Sequence, residues 1–294
     1  MREILVISGK GGTGKTSVTA AFAHLSEDTV VCDLDVDAPD LHLILQPNAR
    51  QTTPFVAGFE PRVVDDKCTA CGTCEQMCRF GAIQVGDESA SVDPIRCEGC
   101  GVCVEFCPEK AIDFIPKECG QWSISDTRFG PMVHAQLYPG EENSGKLVAL
   151  LRAQARELAE PEGASMILAD GPPGIGCPVI SALSGTDMAV MVTEPTPSGI
   201  HDLQRVVELC DHFKVPASVI INKFDLNKTI VANIKSFCDK KGLPVLAELP
   251  HDPDFVNAMV RGIAITEFSD GPTSQKVRMA WQEVVKQAAE LKAA

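Results

Sequence analysis

The stretch from Ile4 to Thr16, ILVISGKGGTGKT, constrains the chain more than any other: a short apolar run empties into a glycine-rich loop whose last residues can open a helix. Gly9, Gly11, Gly12 and Gly14 let the backbone take positive φ and approach a ligand closely, so successive N–H groups converge on phosphate oxygens. Lys15 then reaches the β- and γ-phosphates, and the Thr16 hydroxyl can ligate Mg²⁺. The helix starting near Thr16 turns its positive end on the same site. The segment reads as a phosphate-binding loop, with Gly11, Gly12, Thr13, Gly14, Lys15, Thr16 and Ser17 as its nucleotide-binding residues. The plain alternative is a glycine-rich turn between strand and helix.

A second lysine, Lys10, stands at the loop's start. In this the loop resembles the deviant phosphate-binding loop of the MinD, ParA, Mrp and nitrogenase iron protein superfamily. The resemblance implies that Lys10 acts with Lys15 in catalysis, reaching the phosphates of a partner subunit's nucleotide across a homodimer. Thr29 to Cys32 reads as a short strand that delivers Asp33-Leu34-Asp35 at its carboxyl end, where open parallel sheets bind ligands. The same resemblance matches Asp35 to the aspartate that orients the attacking water and Asp33 to one near the Mg²⁺ shell. Capping of the following turn is the alternative.

At 294 residues and 45% hydrophobic content the chain is long enough for a sizeable core and more than one domain. No apolar run approaches the roughly 18 residues of a membrane span, and Met1-Arg2-Glu3 does not begin a secretory signal, so a cytoplasmic protein is expected. A net charge of −14 without a basic cluster argues against nucleic acid and anionic lipid as partners.

Eight of the 13 cysteines fall in two groups of one spacing, Cys68-x2-Cys71-x2-Cys74-x3-Cys78 and Cys97-x2-Cys100-x2-Cys103-x3-Cys107-Pro108. Gly-Ala-Ile at 81–83 is echoed by Lys-Ala-Ile at 110–112, so the segment is an internal duplication. This is metal-ligand usage and not a disulfide framework. The spacing resembles that of bacterial two-cluster ferredoxins, in which the fourth cysteine of each group ligates the other group's cluster. Carried over, Cys68, Cys71, Cys74 and Cys107 hold one [4Fe–4S] cluster, and Cys97, Cys100, Cys103 and Cys78 the second. A pair of four-cysteine zinc sites is the alternative, although zinc ribbons usually part their C-x2-C pairs by a long hairpin. Arg79 replaces the proline expected after the first group, so the two potentials need not be equal.

Beyond the cysteines, residues 121–138 alternate like a strand, and Asn143 or Ser144 is a competent N-cap for an amphipathic helix through Leu158. Met166 to Ala169 reads as a buried strand ending in Asp170-Gly171-Pro172-Pro173-Gly174, with Asp170 placed as the acid that positions water on Mg²⁺ and Gly174 able to offer its N–H to a γ-phosphate. Alternating strands and helices follow to Leu249, which predicts a doubly wound parallel sheet. The whole pattern resembles MinD-superfamily ATPases that contain an inserted ferredoxin domain. It implies an α/β phosphate-binding-loop ATPase domain over residues 1–58 and 119–294, interrupted by a two-cluster α+β insert over 59–118. By that resemblance Asn222 and Pro250 meet the nucleotide base. Asn222-Lys223-Phe224-Asp225 also matches the guanine-reading motif of GTPases, so GTP stays open beside ATP. The segment from Thr273 to Ala294 puts Val277, Ala280, Trp281, Val284, Val285, Ala288 and Leu291 on one helix face, to be docked on the sheet.

The expected function is ATP hydrolysis, with Mg²⁺, coupled to electron transfer through two [4Fe–4S] clusters to a redox or metallocluster-assembly partner. An ATP-dependent cluster carrier of Mrp type is the alternative, and a positioning ATPase like ParA or MinD a third. Cys177, seven residues beyond Asp170, matches a cluster-bridging cysteine of the nitrogenase iron protein, with Cys119 as a second ligand; a buried, apolar-packed thiol is the other reading.

Overall fold

The computed structural model describes residues 1–291; positions 292–294, the end of the expected last helix, lie outside the described residues. Among the described residues eleven strands form: β1 (Arg2–Ser8), β2 (Thr29–Asp33), β3 (Asn48–Val63), β4 (Ile83–Val85), β5 (Ala90–Val92), β6 (Ile112–Thr127), β7 (Gly130–Leu137), β8 (Met166–Pro173), β9 (Met188–Thr193), β10 (Ala217–Ile221) and β11 (Val245–Glu248). Nine of them make one sheet in the order β11-β10-β9-β1-β8-β2-β7-β6-β3, and β4 pairs with β5 alone. From β11 to β7 every documented pairing is parallel. The central strands are apolar runs because both faces are covered: Ile4 to Ile7 and Val30 to Cys32 are fully buried. Only two residues part β6 from β7, its sheet neighbour, so that pair must run antiparallel. Pro54 and Pro61 both fall in β3, the edge strand, where a missing donor is tolerated.

The chain divides into two compact units, one of residues 1–53, 121–137 and 144–294, the other of 54–120 and 138–143. The second unit therefore differs from the 59–118 insert expected from sequence. It begins earlier and takes back a six-residue loop, because Lys117 Nζ pairs with Glu141 Oε1 at 2.8 Å and Tyr138 N donates to Cys119 O at 2.9 Å. Asn143 has φ 77, outside the extended conformation of an N-cap, and the helix runs Ser144–Ala159.

In the first unit the helix Lys15–Leu25 and the helix Pro272–Glu290 pack together, Phe22 against Trp281 with ring centroids 4.8 Å apart. Trp281 also donates its indole N–H to Leu25 O at 3.2 Å. Val277, Ala280, Trp281, Val284 and Ala288 are buried in the main core, whereas Val285 and Leu291, expected on the same face, are exposed. None of the described helices is long and apolar enough to cross a membrane.

His134 on β7 shares a 2.8 Å hydrogen bond with Ser125 on β6, and burial, helped by His42, drives its pKa down to about 4. The folded chain thus binds fewer protons than the unfolded one between pH 6.5 and about 4. Its stabilising effect is complete above the unfolded value and is lost as pH falls through that window, by roughly 2 kcal/mol after allowing for partial exposure. His134→Gln should flatten the acid limb of a urea-midpoint titration between pH 7 and 4.5.

Candidate functional site

Strand β1 runs into the loop at the centre of the sheet, with β8 and β9 on either side. The two neighbours end in acids, Asp170 within β8 and Glu194 just past β9, and β2 ends in Asp33. Parallel strands ending together bring these side chains to one edge. Gly14, which starts the helix, holds φ 91, and a Cβ there would collide with the Asn222 amide, so only glycine fits.

Lys15 is buried at this edge, its Nζ 3.0 Å from Asp170 Oδ2 and 3.5 Å from Asp35 Oδ2. Burial, the largest influence, works to lower its pKa, but Asp170, Asp35 and Asp33 together outweigh it and raise the value. Asp170 accepts from Thr16 Oγ1 on one carboxylate oxygen and from Thr19 Oγ1 on the other, both at 2.8 Å. Asp33 is buried; its Oδ1 accepts from Asp35 N at 3.1 Å, and its Oδ2 has no partner. Burial, then the charge of Asp170, drives the Asp33 carboxyl well above the usual range. Burial also raises Asp35.

Three carboxylates thus face one ammonium, with an orphaned acid oxygen and the equally orphaned Thr13 hydroxyl beside them. An oxygen-rich, under-neutralised site of this kind fits a hard divalent cation that takes its remaining ligands from water and phosphate.

The other residues expected at the site have more specific roles. Asn222 Nδ2 donates to Thr13 O at 2.8 Å, so it braces the loop. With Pro250 it lines a pocket that also contains Gly14, Ser17, Phe255, Val256 and Met259. Asp225, the guanine-reading position, lies outside that lining and accepts from His251 N at 2.7 Å. Gly174 donates its N–H to Ser8 O at 2.9 Å, so a γ-phosphate contact requires that bond to be exchanged. Lys10 pairs with Glu194 Oε1 at 2.6 Å. Cys177 is exposed rather than buried, and Cys119 is buried with its thiol donating to Ala57 O at 3.1 Å, an arrangement that does not offer it as a bridging ligand.

Thr19, Glu194, Phe255, Val256 and Met259 also stand at this edge or line its pocket but were not read from the sequence, and Lys223 was read only as part of the guanine-motif match. Glu194 carried the signal used for Asp33 and Asp170, an acid just past an apolar strand. Thr19 stands one turn beyond Lys15 on the same helix face.

In the second unit the duplication extends to the backbone. Ala70, Gly72 and Gly81 have positive φ, as do Gly99, Gly101 and Lys110, each 29 residues later. Val64 N donates to Ala111 O at 2.8 Å and Asp93 N to Ala82 O at 2.7 Å, so each repeat completes the other. The fourth cysteine of each group accepts an amide from four residues on, Cys78 Sγ from Ala82 N at 3.4 Å and Cys107 Sγ from Ala111 N at 3.3 Å. One hollow is lined by Cys68, Cys71 and Cys74 of the first group together with Cys107 of the second. Among the described residues no group of three or more His, Cys, Asp or Glu is close enough to hold a single metal ion.

Comparison with known proteins agrees with the nucleotide-binding half of this geometry. The family model described as CobQ/CobB/MinD/ParA nucleotide binding domain matches residues 4–265. The chain belongs to that family. An uncharacterized protein of Methanocaldococcus jannaschii is 35% identical over 228 residues, covering 76% of this chain and 79% of its own length. The septum site-determining protein MinD of Synechocystis is 26% identical, covering 89% and 80%. Among solved structures, the MinC:MinD cell division complex of Aquifex aeolicus superposes with a TM-score of 0.58 at 20% identity over 97% of this chain and 96% of that one. MinD of Pyrococcus horikoshii complexed with Mg-ADP gives 0.57 at 17% over 99% and 98%. Both structures share the fold of this family member.

The partnerless Asp33 oxygen makes a stability prediction. Asp33→Asn, which keeps the shape without the charge, should raise the melting temperature by a few degrees in protein prepared without nucleotide or Mg²⁺ at neutral pH. The same variant should lose that advantage when both are added, as read by differential scanning calorimetry.

Proposed function

We propose that this chain binds and hydrolyses ATP as a homodimer and couples nucleotide state to electron transfer through two [4Fe–4S] clusters, serving a redox or metallocluster-assembly partner. The observation that carries the reading is the hollow lined by three cysteines of one group and the fourth of the other. That lining is consistent with the interleaved donor set of a two-cluster ferredoxin, and the amides donated to Cys78 and Cys107 would serve there as N–H···S bonds to thiolate ligands. A tetrahedral zinc site would draw four sulfurs to within about 3.8 Å of one another, given Zn–S of about 2.3 Å. Thiols standing around a hollow favour a cubane instead.

Such a group would also help to stabilise the second unit. Two of the five residues buried in its main hydrophobic cluster, Cys74, Ile83, Ala90, Cys103 and Ile112, are thiols, with Val63, Val85, Val92 and Val104 among those packed against them. Small domains often add disulfides or a metal to a core of this size. When bound, the clusters would supply one-electron carriers; Cys68, Cys71, Cys74 and Cys107 would hold one, Cys97, Cys100, Cys103 and Cys78 the other.

At the phosphate site Thr16, Asp33 and Asp170 would hold Mg²⁺, which supplies charge neutralisation to the phosphates. Lys15 would exchange its aspartate partners for phosphate oxygens, and Asp35 would orient the attacking water. Lys10 would act across the dimer, and Gly174 would sense the γ-phosphate by giving up Ser8. The apolar pocket beside Asn222 and Pro250 fits a base, and adenine is favoured because the Asp225 carboxylate is already engaged with His251. An Mrp-type cluster carrier is the second reading. A positioning role is the reading toward which the comparisons lean, the named relatives and solved neighbours being MinD proteins; against it stand the net charge of −14 and the burial of most of the last helix's apolar face.

Protein reconstituted anaerobically should contain about eight irons and eight sulfides per chain. Cys71→Ser and Cys107→Ser, though 36 positions apart in sequence, should weaken the same cluster's EPR signal. About two zinc ions and no iron would overturn the reading. Coupling free energies of about 1–3 kcal/mol predict that one cluster's potential shifts by roughly 40–130 mV between ADP and a non-hydrolysable ATP analogue. Equal potentials in redox titrations would favour the carrier.

A further inference from the structure

Both oxygens of the Asp170 carboxylate are taken by hydroxyls of one helix. Oδ2 faces the phosphate loop, where Thr16 Oγ1 donates to it at 2.8 Å and Lys15 Nζ stands 3.0 Å away. Oδ1 accepts from Thr19 Oγ1, also at 2.8 Å. Thr19 is fully buried, one turn further along the helix Lys15–Leu25. Its hydroxyl also lies 3.0 Å from Lys15 O. In an α-helix, however, that carbonyl already accepts the Thr19 N–H, and a carboxylate is the stronger acceptor, so the hydroxyl hydrogen goes to Asp170. The backbone beneath the carboxylate is fixed by packing. A Cβ at Gly171 would stand 2.5 Å from the Ile7 side chain and 3.0 Å from Val6 O, so β8 approaches β1 too closely there for any side chain. What the strand leaves free in Asp170 is rotation about its last side-chain bond, a broad torsion with weak preferences of its own.

We propose that Thr19 is a positioning residue for Asp170: its hydroxyl holds Oδ1, so that Oδ2 stays turned toward Thr16 and the Mg²⁺ position. The proposal deepens the reading above and rests on the Mg²⁺ role given there to Asp170. It adds why the carboxylate keeps its orientation when nucleotide arrives. In that reading Lys15 leaves Asp170 for phosphate oxygens, and the Thr16 oxygen becomes a metal ligand. The Oδ2 side is thereby rearranged, whereas the Thr19 bond to Oδ1 involves neither phosphate nor metal. A β-branched residue suits the task, because few side-chain rotamers are open to it in a helix and the hydroxyl is aimed before any ligand binds. Without that hydroxyl, Oδ1 would be a buried oxygen lacking its donor, and the carboxylate would turn to recover one at the expense of Oδ2.

The test is a titration of Mg²⁺ into the full chain carrying a fluorescent, non-hydrolysable ATP analogue, read as the Mg²⁺ concentration at half-effect. The affinity for the same analogue in EDTA is measured beside it. Thr19→Val keeps the shape and removes the hydroxyl. It should raise the half-effect concentration roughly tenfold to a hundredfold, the range typical of losing a group that orients a metal-site residue. It should leave the metal-free affinity in place, and Thr19→Ser, which restores the hydroxyl, should recover most of the Mg²⁺ response. An unchanged half-effect concentration for Thr19→Val, or a Thr19→Ser as impaired as Thr19→Val, would overturn the proposal. So would an equal loss of metal-free binding, the mark of a hydroxyl that merely supports the fold of the loop. If Thr19→Val folds poorly, Thr19→Cys takes its place, since a thiol is a weak donor of similar size, and an unweakened Mg²⁺ response there is the overturning result. A wild-type chain that binds the analogue with no response to Mg²⁺ would instead sink the metal reading, and the Thr19 role with it. That result is distinct from an unchanged variant beside a responsive wild type.

Discussion

Lys15 is buried among Asp33, Asp35 and Asp170, and the arrangement of the phosphate site depends on that uneven meeting of charges. One ammonium cannot balance three carboxylates, so each acid is stabilised locally as far as the fold allows. Asp170 takes two threonine hydroxyls, and Asp33 takes only the Asp35 amide. Removing two or three carboxylates from water is expensive, of order several kcal/mol each before partners are counted. A site that accepts this cost and leaves an oxygen without a partner is preorganised for a cation and a polyphosphate. Their arrival would supply the missing charge and give Lys15 phosphate oxygens in place of the acids.

The same economy of partners governs the neighbouring lysines. Lys10 and Lys223 share Glu194, and Lys223 and Asn222 each grip the loop backbone, at Gly12 O and Thr13 O. The loop is consequently held by side chains just past β9 and β10, strands far away in sequence whose ends the parallel sheet brings to the same edge as that of β1.

The second unit meets a different constraint. Two of the five side chains buried in its main hydrophobic cluster are thiols, so purely apolar burial there contributes modestly against conformational entropy. Its duplication is carried by backbone torsions as well as by cysteines. Matching left-handed residues 29 positions apart turn the chain in the same way around each thiol group, and Val64 and Asp93 exchange equivalent bonds with Ala111 and Ala82.

Local chemistry made the loop, the cysteine groups and the order of most strands and helices readable in advance, because glycine spacing, thiol spacing and apolar periodicity are short-range signals. The alternation of strands and helices expected up to Leu249 is found, with Met188–Thr193, Ala217–Ile221 and Val245–Glu248 as its strands. Asp33, Asp35, Asp170 and Lys15 were legible too, since each stands at a strand end or in the loop. The return of residues 138–143 to the second unit was not, for it depends on Glu141 finding Lys117 across 24 positions. Nor was the pairing of Lys10 with Glu194. By itself the sequence determined which groups the protein owns: a phosphate loop, strand-end acids and two sets of four thiols. Only the tertiary structure decided which partner each charge takes, because partner choice is settled by the register of parallel strands that bring residues 184 positions apart, such as Lys10 and Glu194, within hydrogen-bonding distance.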